Sequence, residues 1–335
     1  MSGGIDSTYA VLKLRELGYE VEGAILKMSE HTDVPAAERA AEALGVKLHV
    51  VDCTGEFSSC VVENFVSEYC AARTPNPCIV CNREVKFKKL CECARSAGCD
   101  TVSTGHYARV LQNPENGRYY ISRGLDARKD QSYVLWRLSQ EELGMLFFPL
   151  SDDIKTEVKE RSKEMALPSA EAKESQEICF IPSNDHTAYI EELLGKKFSE
   201  GDFISADGRV LGKHKGVAKY TIGQRKGLGI SLGKHAFVTS IDPVANTVTL
   251  GDEEELFKNE FDISDLIFQK RFLSDGESAR LSVKIRYAAK PAMCSVTVSG
   301  GKAHVVLDES ARALTPGQSA VFYDEDDVVF GGFID

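Results

Sequence analysis

The sequence contains no apolar run near the ~20 residues that a membrane-spanning helix requires. It opens on a polar glycine-containing segment rather than on an apolar leader, so no secretory signal peptide is indicated. Basic residues are the minority charge, with 40 Lys and Arg against 51 Asp and Glu. The formal net charge of −11 argues against binding of nucleic acid by the whole surface, although a local basic face is compatible with it. We therefore expect a cytoplasmic protein with no membrane partner.

Internal repeats and low-complexity segments are also missing from the 335 residues. Hydrophobic residues make up 43% and charged residues 27% of the chain, which is typical of globular proteins. The length indicates two or three domains, each large enough for a core of its own. We expect the chain to act as a monomer.

The most informative segment is the first seven residues, Met-Ser-Gly-Gly-Ile-Asp-Ser. This glycine turn runs into an apolar-periodic stretch at 9–17, which is typical of a loop at a helix N-terminus, where free N–H groups favour a phosphate. No Gly-Lys-[Ser/Thr] follows the glycines, so the segment is not a Walker A loop. Ser-Gly-Gly-x-Asp-Ser instead resembles the PP-loop of ATP pyrophosphatases, which holds the β and γ phosphates while the α phosphate is transferred. An ordinary turn before a helix is the alternative interpretation.

Helical and extended patterns alternate over the first hundred residues. Helix-like segments lie at 10–17, 36–44, 57–70 and 85–97, and strand-like segments at 21–26, 47–51 and 101–103. Such alternation predicts an α/β domain whose parallel sheet is covered by helices, with ligands beyond the carboxyl ends of the strands. A strand normally precedes a phosphate loop of this type, whereas only Met1 does so here. We expect either an earlier start of the natural chain or a sheet that closes differently.

Composition divides the chain into three parts, at 1–183, 184–255 and 256–335. The central part is the most basic, and a solvated face is the alternative to a binding role for its cations, which are Lys213, Lys215, Lys219, Arg225 and Lys226. The last part contains short alternating segments separated by turn residues, which predicts a small β-barrel. These segments lie at 279–287, 293–298, 304–307, 319–323 and 328–334.

Cys78 and Cys81 form a Cys-x-x-Cys motif directly after Thr-Pro-Asn-Pro at 74–77. The prolines predict an irregular segment, with a helix beginning near Glu84. Thiols just before a helix N-terminus and near basic residues are expected to have lowered pKa values. The motif is compatible with redox or sulfur-transfer chemistry, with half of a metal site, or with simple packing. Another cysteine, Cys179, follows the polar run 173–177 and is expected in a loop.

Taken together, these segments resemble the tRNA-specific 2-thiouridylase family over essentially the whole chain. The matching segments occur in the family's order and near its spacing, at 2–7, 74–77, 81–87, 104–107, 129–133, 175–180, 223–229, 286–287 and 315–321. The resemblance implies an α/β fold with a PP-loop (adenine nucleotide α-hydrolase-like) domain at 1–183. It also implies a small central, tRNA-contacting domain at 184–255 and a C-terminal β-barrel at 256–335.

The resemblance implies a reaction as well. ATP, with Mg²⁺, adenylates the C2 oxygen of the wobble uridine (position 34) of tRNA, and a cysteine persulfide then supplies sulfur, so that AMP and pyrophosphate are released. The implied partners are the anticodon stem-loop of tRNA and a sulfur-carrier protein or cysteine desulfurase.

By position, Cys81 matches the nucleophile and Cys179 the persulfide carrier. The implied nucleotide-binding residues are Ser2, Gly3, Gly4, Ile5, Asp6, Ser7, Leu26 and Gly105. The implied tRNA contacts are Asn76, Pro77, Cys78, His106, Lys129, Asp130, Gln131, Arg286, Tyr287 and Gln318.

One position departs from the family pattern. Cys78 stands where members carry an acidic residue suited to proton transfer, so we expect it to be a proton donor or a cluster ligand. With Cys81 and Cys179 it would supply three ligands to a [4Fe–4S] cluster, the alternative route to the same thiolation. Two other hypotheses remain: a different PP-loop synthetase, and a non-catalytic metal- or RNA-binding protein.

Overall fold

The computed structural model describes residues 1–165, 167, 178–181, 183, 185–230, 233 and 235–335. Within them the α-helices are α1 (Ile5–Glu16), α2 (Val34–Leu44), α3 (Thr54–Phe57), α4 (Glu63–Cys70), α5 (Pro77–Cys81), α6 (Phe87–Ala97), α7 (Gln140–Leu143), α8 (Lys155–Glu164) and α9 (His186–Leu194). The strands are β1 (Gly23–Lys27), β2 (Leu48–Asp52), β3 (Val102–Ser103), β4 (Ala108–Gln112), β5 (Tyr119–Arg123), β6 (Leu146–Phe147), β7 (Gly201–Ser205), β8 (Val210–His214), β9 (Phe237–Asp242), β10 (Thr247–Gly251), β11 (Phe257–Phe268), β12 (Ser278–Lys284), β13 (Ala292–Ser299), β14 (Lys302–Arg312), β15 (Ser319–Asp324) and β16 (Asp327–Ile334). Short π-helical turns, Ser58–Val62 and Asn82–Lys86, join α3 to α4 and α5 to α6.

The α/β part contains two parallel strand pairs rather than one continuous sheet. β1 pairs with β2, and β3 pairs with β6. Among the described residues no ladder of hydrogen bonds connects the two pairs, so the expected single sheet is divided. The amino group of Met1 donates a hydrogen bond to the carbonyl of Ala24, which places the first residue along β1.

Helix α2 shows why the sequence signals located the helices well in this region. The Asp33 carboxylate accepts a hydrogen bond from the Ala36 N–H at 2.9 Å and so caps the first turn. Gly45 ends the helix in the left-handed conformation, with a φ of +59°. Both ends are therefore fixed by side-chain and backbone chemistry that is local in sequence.

The cysteine motif lies inside a helix and not before one. Asn76 is extended, and its side chain accepts a hydrogen bond from the Cys78 N–H at 3.2 Å. Pro77 takes the first helical position, where its missing N–H removes no helical hydrogen bond. The expected helix start near Glu84 was wrong, because Asn76 and Pro77 together form a helix start.

The last quarter of the chain forms a closed barrel of six strands. Its hydrogen-bonded order is β11-β14-β13-β12-β15-β16, and β11 closes the ring by pairing with β16. All five expected segments are strands, but β11 was missed. Most of its residues are exposed or half-buried, and its charged side chains hide the alternation.

The central part is a four-stranded sheet in the order β8-β7-β10-β9. Two cations of its basic segment are in ion pairs, Lys213 with Asp202 at 2.7 Å and Lys219 with Glu191 at 3.1 Å. Part of the local positive charge is therefore neutralised within the fold.

The barrel and the α/β part share a core. The β4–β5 hairpin extends the barrel sheet beyond β16. Gln269 is fully buried between them: its side chain accepts from the Ile121 N–H at 3.0 Å and donates to the carbonyls of Leu135 and Trp136. Among the described helices, none is long and apolar enough to cross a lipid bilayer.

Candidate active site

The phosphate loop folds over the first turn of α1. Gly3 has a φ of +75°, and a Cβ there would lie 2.9–3.0 Å from Ala36 of α2, so a side chain does not fit. The Ser7 hydroxyl donates to the Gly4 carbonyl at 2.9 Å and accepts from the Ser2 N–H at 3.1 Å. Among the described residues no side chain caps α1 at Gly4. The N–H groups of this turn are therefore available to an anion at the positive end of the helix dipole.

A second loop, at residues 104–107, lies directly against the first. A Cβ on Gly105 would stand 2.7–2.8 Å from backbone and Cβ atoms of Asp6, so the two loops meet backbone to backbone. The Tyr107 hydroxyl donates to Asp6 Oδ1 at 2.8 Å. Burial, together with the Asp6 carboxylate, raises the pKa of Tyr107, which therefore remains a donor. Gln131 supports this loop, because its side chain accepts from the Tyr107 N–H at 2.9 Å.

The Asp6 carboxylate also receives a lysine from a distant helix. Lys155, the first residue of α8, donates from Nζ to both carboxylate oxygens at 2.6 Å, and its side chain is only 8% exposed. No signal local to either residue in the sequence connects them.

Cys81 lies on the inner face of α5, near the carboxyl end of β1. It is buried in a cluster that includes Leu26 and Phe180, and its Sγ lies 3.8 Å from Met28 Sδ. Cys78, in contrast, is exposed at the start of the same helix. Leu26, expected to contact the nucleotide, and Cys81, expected to be the nucleophile, are therefore in one cluster.

Cys179 lies in a turn that the neighbouring residues anchor. Phe180 packs edge-on against Phe57 and Phe65, at ring distances of 5.5 and 5.3 Å, and the Ile181 N–H donates to the Ile178 carbonyl at 3.0 Å. The Cys179 side chain itself is exposed. The other part of its expected motif, residues 175–177, and Pro182 lie outside the described residues.

The pKa values of the thiols of Cys81 and Cys179 are raised, whereas lowered values were expected for the thiols of the Cys-x-x-Cys motif. Burial raises the pKa of Cys81 to about 11, and nearby Cys179 and Cys78 act in the same direction. Cys179 reaches solvent, but surrounding protein desolvates its thiol enough to raise the pKa. Lys86 lowers the pKa of both thiols, by less than burial raises it. The prediction of a lowered pKa was wrong for Cys81, because desolvation outweighs Lys86 there, and the same balance holds at Cys179.

A metal cluster has no visible ligand set. Among the residues that the structure describes, no group of three or more His, Cys, Asp or Glu side chains could hold a metal ion. Cys78, Cys81 and Cys179 influence one another electrostatically, yet the first and last are exposed while Cys81 is buried. The residues present therefore do not fit a [4Fe–4S] cluster.

Three of the ten expected tRNA contacts, Asn76, Tyr287 and Gln318, lie at the seam between the α/β part and the barrel. Gln318 donates to the Thr74 carbonyl at 2.7 Å, just before α5. The Tyr287 hydroxyl donates to the Asp130 carbonyl at 3.2 Å, and Tyr287 is half exposed. Beside this seam opens a cavity of about 440 Å³ that Asn76 and Val80 help to line.

The remaining expected contacts have mixed settings. Asp130 is buried, and its carboxylate accepts from the Ser132 N–H and hydroxyl. His106 packs against Phe87 and Phe148, and burial lowers its pKa to about 3, so its imidazole is neutral. Others in this set are half-buried or buried: Pro77, Lys129 and Arg286.

Comparison with known proteins gives matches along the whole chain. Residues 1–183 match the family described as tRNA methyl transferase HUP domain. Residues 187–252 match a tRNA methyl transferase PRC-barrel domain, and residues 258–334 an aminomethyltransferase beta-barrel domain.

Full-length relatives are named after one activity. A tRNA-specific 2-thiouridylase MnmA of Clostridioides difficile is 41% identical over 100% of this chain and 96% of its own length. A tRNA-specific 2-thiouridylase MnmA 1 of Clostridium botulinum and a tRNA-specific 2-thiouridylase MnmA of Clostridium acetobutylicum are also 41% identical over 100% of this chain, and the matches cover 97% and 98% of those proteins. The chain belongs to the tRNA-specific 2-thiouridylase family. For this 2-thiouridylase family member, the α/β fold with a C-terminal barrel is the expected architecture, and the prediction of that fold class is confirmed.

Sequence reasoning missed two residues of this site, Lys155 and Met28, which stand outside the expected nucleotide and cysteine positions. Lys86, in contrast, is one of the basic residues expected near the cysteine motif, and it follows Cys81 by little more than one helical turn. Lys155 could not be found from the sequence, since its partner Asp6 is 149 residues away in the chain.

Proposed function

We propose that the protein catalyses ATP-dependent 2-thiolation of the uridine at position 34 of tRNA. The observation that supports this most is the contact between an uncapped phosphate loop and the Gly105 loop. Lys86 acts electrostatically on His106, next to Gly105, and on both Cys81 and Cys179, which connects these loops with the cysteines of α5 and the 178–181 turn. The names of its full-length relatives give the same activity.

In the first step the C2 oxygen of uridine attacks the α phosphorus of ATP, which arrives as its magnesium complex. The bond to the β-phosphate oxygen breaks, pyrophosphate leaves, and the base loses its N3 proton. The N–H groups at the start of α1 hold the departing phosphates. Adenylation turns an amide-like oxygen, which is a poor leaving group, into a good one.

In the second step sulfur comes from a persulfide on Cys179. Its terminal sulfur attacks C2, and the C2–O bond breaks as AMP leaves. The Cys81 thiolate then attacks the Cys179 sulfur, which cleaves the S–S bond to the base. The products are 2-thiouridine, protonated again at N3, and a Cys81–Cys179 disulfide, so the sulfane sulfur is reduced as two thiols are oxidised.

The opposite exposures of the two thiols suit these roles. Cys179 is exposed, so a sulfur-carrier protein or cysteine desulfurase can reach it for loading. Cys81 is buried and largely protonated until a partner is in place, which limits wasteful reaction with other sulfur compounds. Cys78 is exposed at the first turn of α5 and would exchange the N3 proton with solvent.

The tRNA would lie along the seam between the α/β part and the barrel. Asn76, Tyr287 and Gln318 lie on it, together with Lys129 and Gln131 from the neighbouring loop. The anticodon loop is single-stranded, so turning one base out of its stack costs little. The neutral His106 would contact the RNA by packing or hydrogen bonding rather than by charge.

The test is thiolation of an unmodified tRNA transcript by persulfide-loaded protein with MgATP, followed by mass spectrometry of the nucleosides. We expect one 2-thiouridine per disulfide formed, and none in a tRNA that carries cytidine at position 34. Cys81→Ala and Cys179→Ala should abolish the product, whereas Cys70→Ala, an exposed cysteine on α4, should not. Thiolation that persists in Cys179→Ala, or that requires iron and is lost in Cys78→Ala, would contradict the persulfide route.

A second measurement separates this function from that of another PP-loop synthetase. ATP–pyrophosphate exchange should depend on tRNA, because the nucleotide is consumed only when the base attacks it. Exchange without tRNA would favour a small-molecule substrate, and no ATP binding would favour a non-catalytic RNA-binding protein.

A further inference from the structure

The phosphate loop contains a negative charge and no positive one. Asp6 is its one charged side chain, and the first basic residue of the chain is Lys13. A helix N-terminus offers only about half a unit of positive charge, and phosphate loops of the Walker type add a lysine for this reason. A triphosphate at this loop would therefore meet the Asp6 carboxylate unless a cation from elsewhere neutralises it.

Lys155 is in the position to do this. Its Nζ donates to both oxygens of Asp6 at 2.6 Å, while the Tyr107 hydroxyl holds one of them at 2.8 Å. The backbone N–H of Lys155 donates to Asp126 Oδ2 at 3.0 Å, which fixes the start of α8. The Lys155 side chain is 8% exposed, so it has little space to swing into solvent.

A second ion pair also joins α1 to the start of α8. Lys13 of α1 already binds Asp153, just before α8, at 2.8 Å, and that pair is also largely buried. The Lys13–Asp153 pair lies further along α1 from the loop. Two ion pairs thus connect the same elements, and only one reaches the phosphate loop.

We propose that Lys155 is the positioning residue of the phosphate site: its ammonium neutralises and orients Asp6, so that the loop's N–H groups can receive the β and γ phosphates. This inference rests on the proposed function only in taking ATP as the ligand. It predicts a specific effect on the outer phosphates, since AMP has none of them.

The test compares MgATP and AMP binding by calorimetric titration in four variants. Lys155→Met should weaken MgATP binding at least tenfold and change AMP binding by less than threefold. Lys155→Arg, which keeps the charge, should retain most of the MgATP affinity. Adding Asp6→Asn to Lys155→Met should restore much of the loss, because both charges are then removed together. Lys13→Met is the matched control: it removes the neighbouring ion pair and should lower the melting temperature without changing the ratio of ATP to AMP affinity.

Some outcomes would overturn the proposal. An unchanged ATP to AMP ratio in Lys155→Met would leave Lys155 a structural residue only. The same is true if Lys13→Met changes the ratio equally. No recovery in the double variant would contradict neutralisation of Asp6 as the role of Lys155. If the unaltered protein binds AMP and ATP with equal weakness, the ATP-dependent function itself fails, which is a different result from any of these.

Discussion

At the scale of single residues, the two thiols of the site differ in their exposure to solvent. Cys81 is 7% exposed, and burial raises its pKa to about 11, whereas the side chain of Cys179 reaches solvent. The folded protein therefore favours the protonated form of Cys81, and the thiolate forms only as the pH rises toward that value. At pH 8 Cys81 is therefore mostly in the thiol form.

The pH dependence of Cys81 alkylation follows from this. We expect slow modification by iodoacetamide that accelerates about tenfold per pH unit between pH 7 and 9.5, because only the thiolate reacts. Peptide mass spectrometry on the folded protein measures the rate, with unfolded protein as the control for the same cysteine. A rate that levels off below pH 9 would show that the thiol is more acidic than its burial indicates.

Gly105 is the residue where the nucleotide site tolerates least change. Its missing Cβ would lie 2.7 Å from Asp6 backbone, so Gly105→Ala must separate the two loops. We expect a cost of about 1–3 kcal/mol in stability and about tenfold or more in MgATP affinity, measured by urea unfolding and titration. Gly55→Ala in α3, where a Cβ has open space, should leave both unchanged or slightly stabilise the fold. Equal effects of the two substitutions would contradict the close contact.

Single residues also show where sequence reasoning ends. Ser2, Gly3 and Ser7 could be placed at a helix N-terminus because the pattern is continuous in sequence. Lys155 could not be placed, because the ion pair depends on how α8 packs on α1. The raised pKa of Cys81 was missed for the same reason, since desolvation depends on residues from several elements.

At the scale of elements, α5 determines where the two cysteines of the motif lie. Asn76 caps it and Pro77 begins it, and these two residues directly precede Cys78. Because α5 begins at Pro77, Cys78 occupies the exposed first turn and Cys81 the buried end. The N-cap rule could have predicted this start from Asn-Pro alone.

Loss of this cap should affect chemistry more than stability. Asn76→Ala removes the hydrogen bond to the Cys78 N–H and should cost about 1 kcal/mol. Thiolation should fall about tenfold or more, because small misplacement of reacting groups is expensive. Ser139→Ala is the matched control, since Ser139 caps a different helix, α7, through a capping box. Denaturant midpoints and single-turnover thiolation are measured for both, and a similar loss of thiolation in Ser139→Ala would contradict a local role.

Some strands could be predicted from the sequence and others could not. The barrel strands β12 to β16 show apolar alternation, and all of them were expected. Strand β11 was not, since its exposed charged residues obscure the buried Ile263. The parallel pairs of the α/β part were expected as one sheet, because strand pairing between distant segments has no local signal.

At the scale of the whole molecule, the barrel and the α/β part are joined through buried polar contacts. Gln269 binds backbone groups of Ile121, Leu135 and Trp136. In the same core the Trp136 indole donates to the Ser319 hydroxyl at 3.1 Å. Such contacts between parts of the chain cannot be deduced from hydrophobic patterns, which report burial but not partners.

We expect the barrel and the α/β part to unfold together. Gln269→Leu removes a hydrogen-bond partner from three buried backbone groups, of which the Leu135 carbonyl still accepts from the Leu138 N–H at 3.3 Å. The expected cost is about 1–3 kcal/mol for each group that stays unsatisfied. Gln112 is an exposed glutamine of the β4–β5 hairpin, and Gln112→Leu should change the free energy of unfolding little. Urea unfolding followed by Trp136 fluorescence and by far-ultraviolet circular dichroism should give one shared midpoint, lowered only in Gln269→Leu. Separate midpoints in the unaltered protein would contradict the coupling.

The β4–β5 hairpin has a consequence for the evolution of this chain. It comes from the α/β part, yet it continues the sheet of a barrel that begins more than a hundred residues later. If recombination moved the barrel alone into another gene, Gln269 would move with it and lose its contacts with the hairpin region. Trp136 would stay behind in the α/β part and lose the barrel residues that bury it. The barrel is therefore not a portable module, and its sequence is expected to change in step with residues 108–136 rather than independently of them.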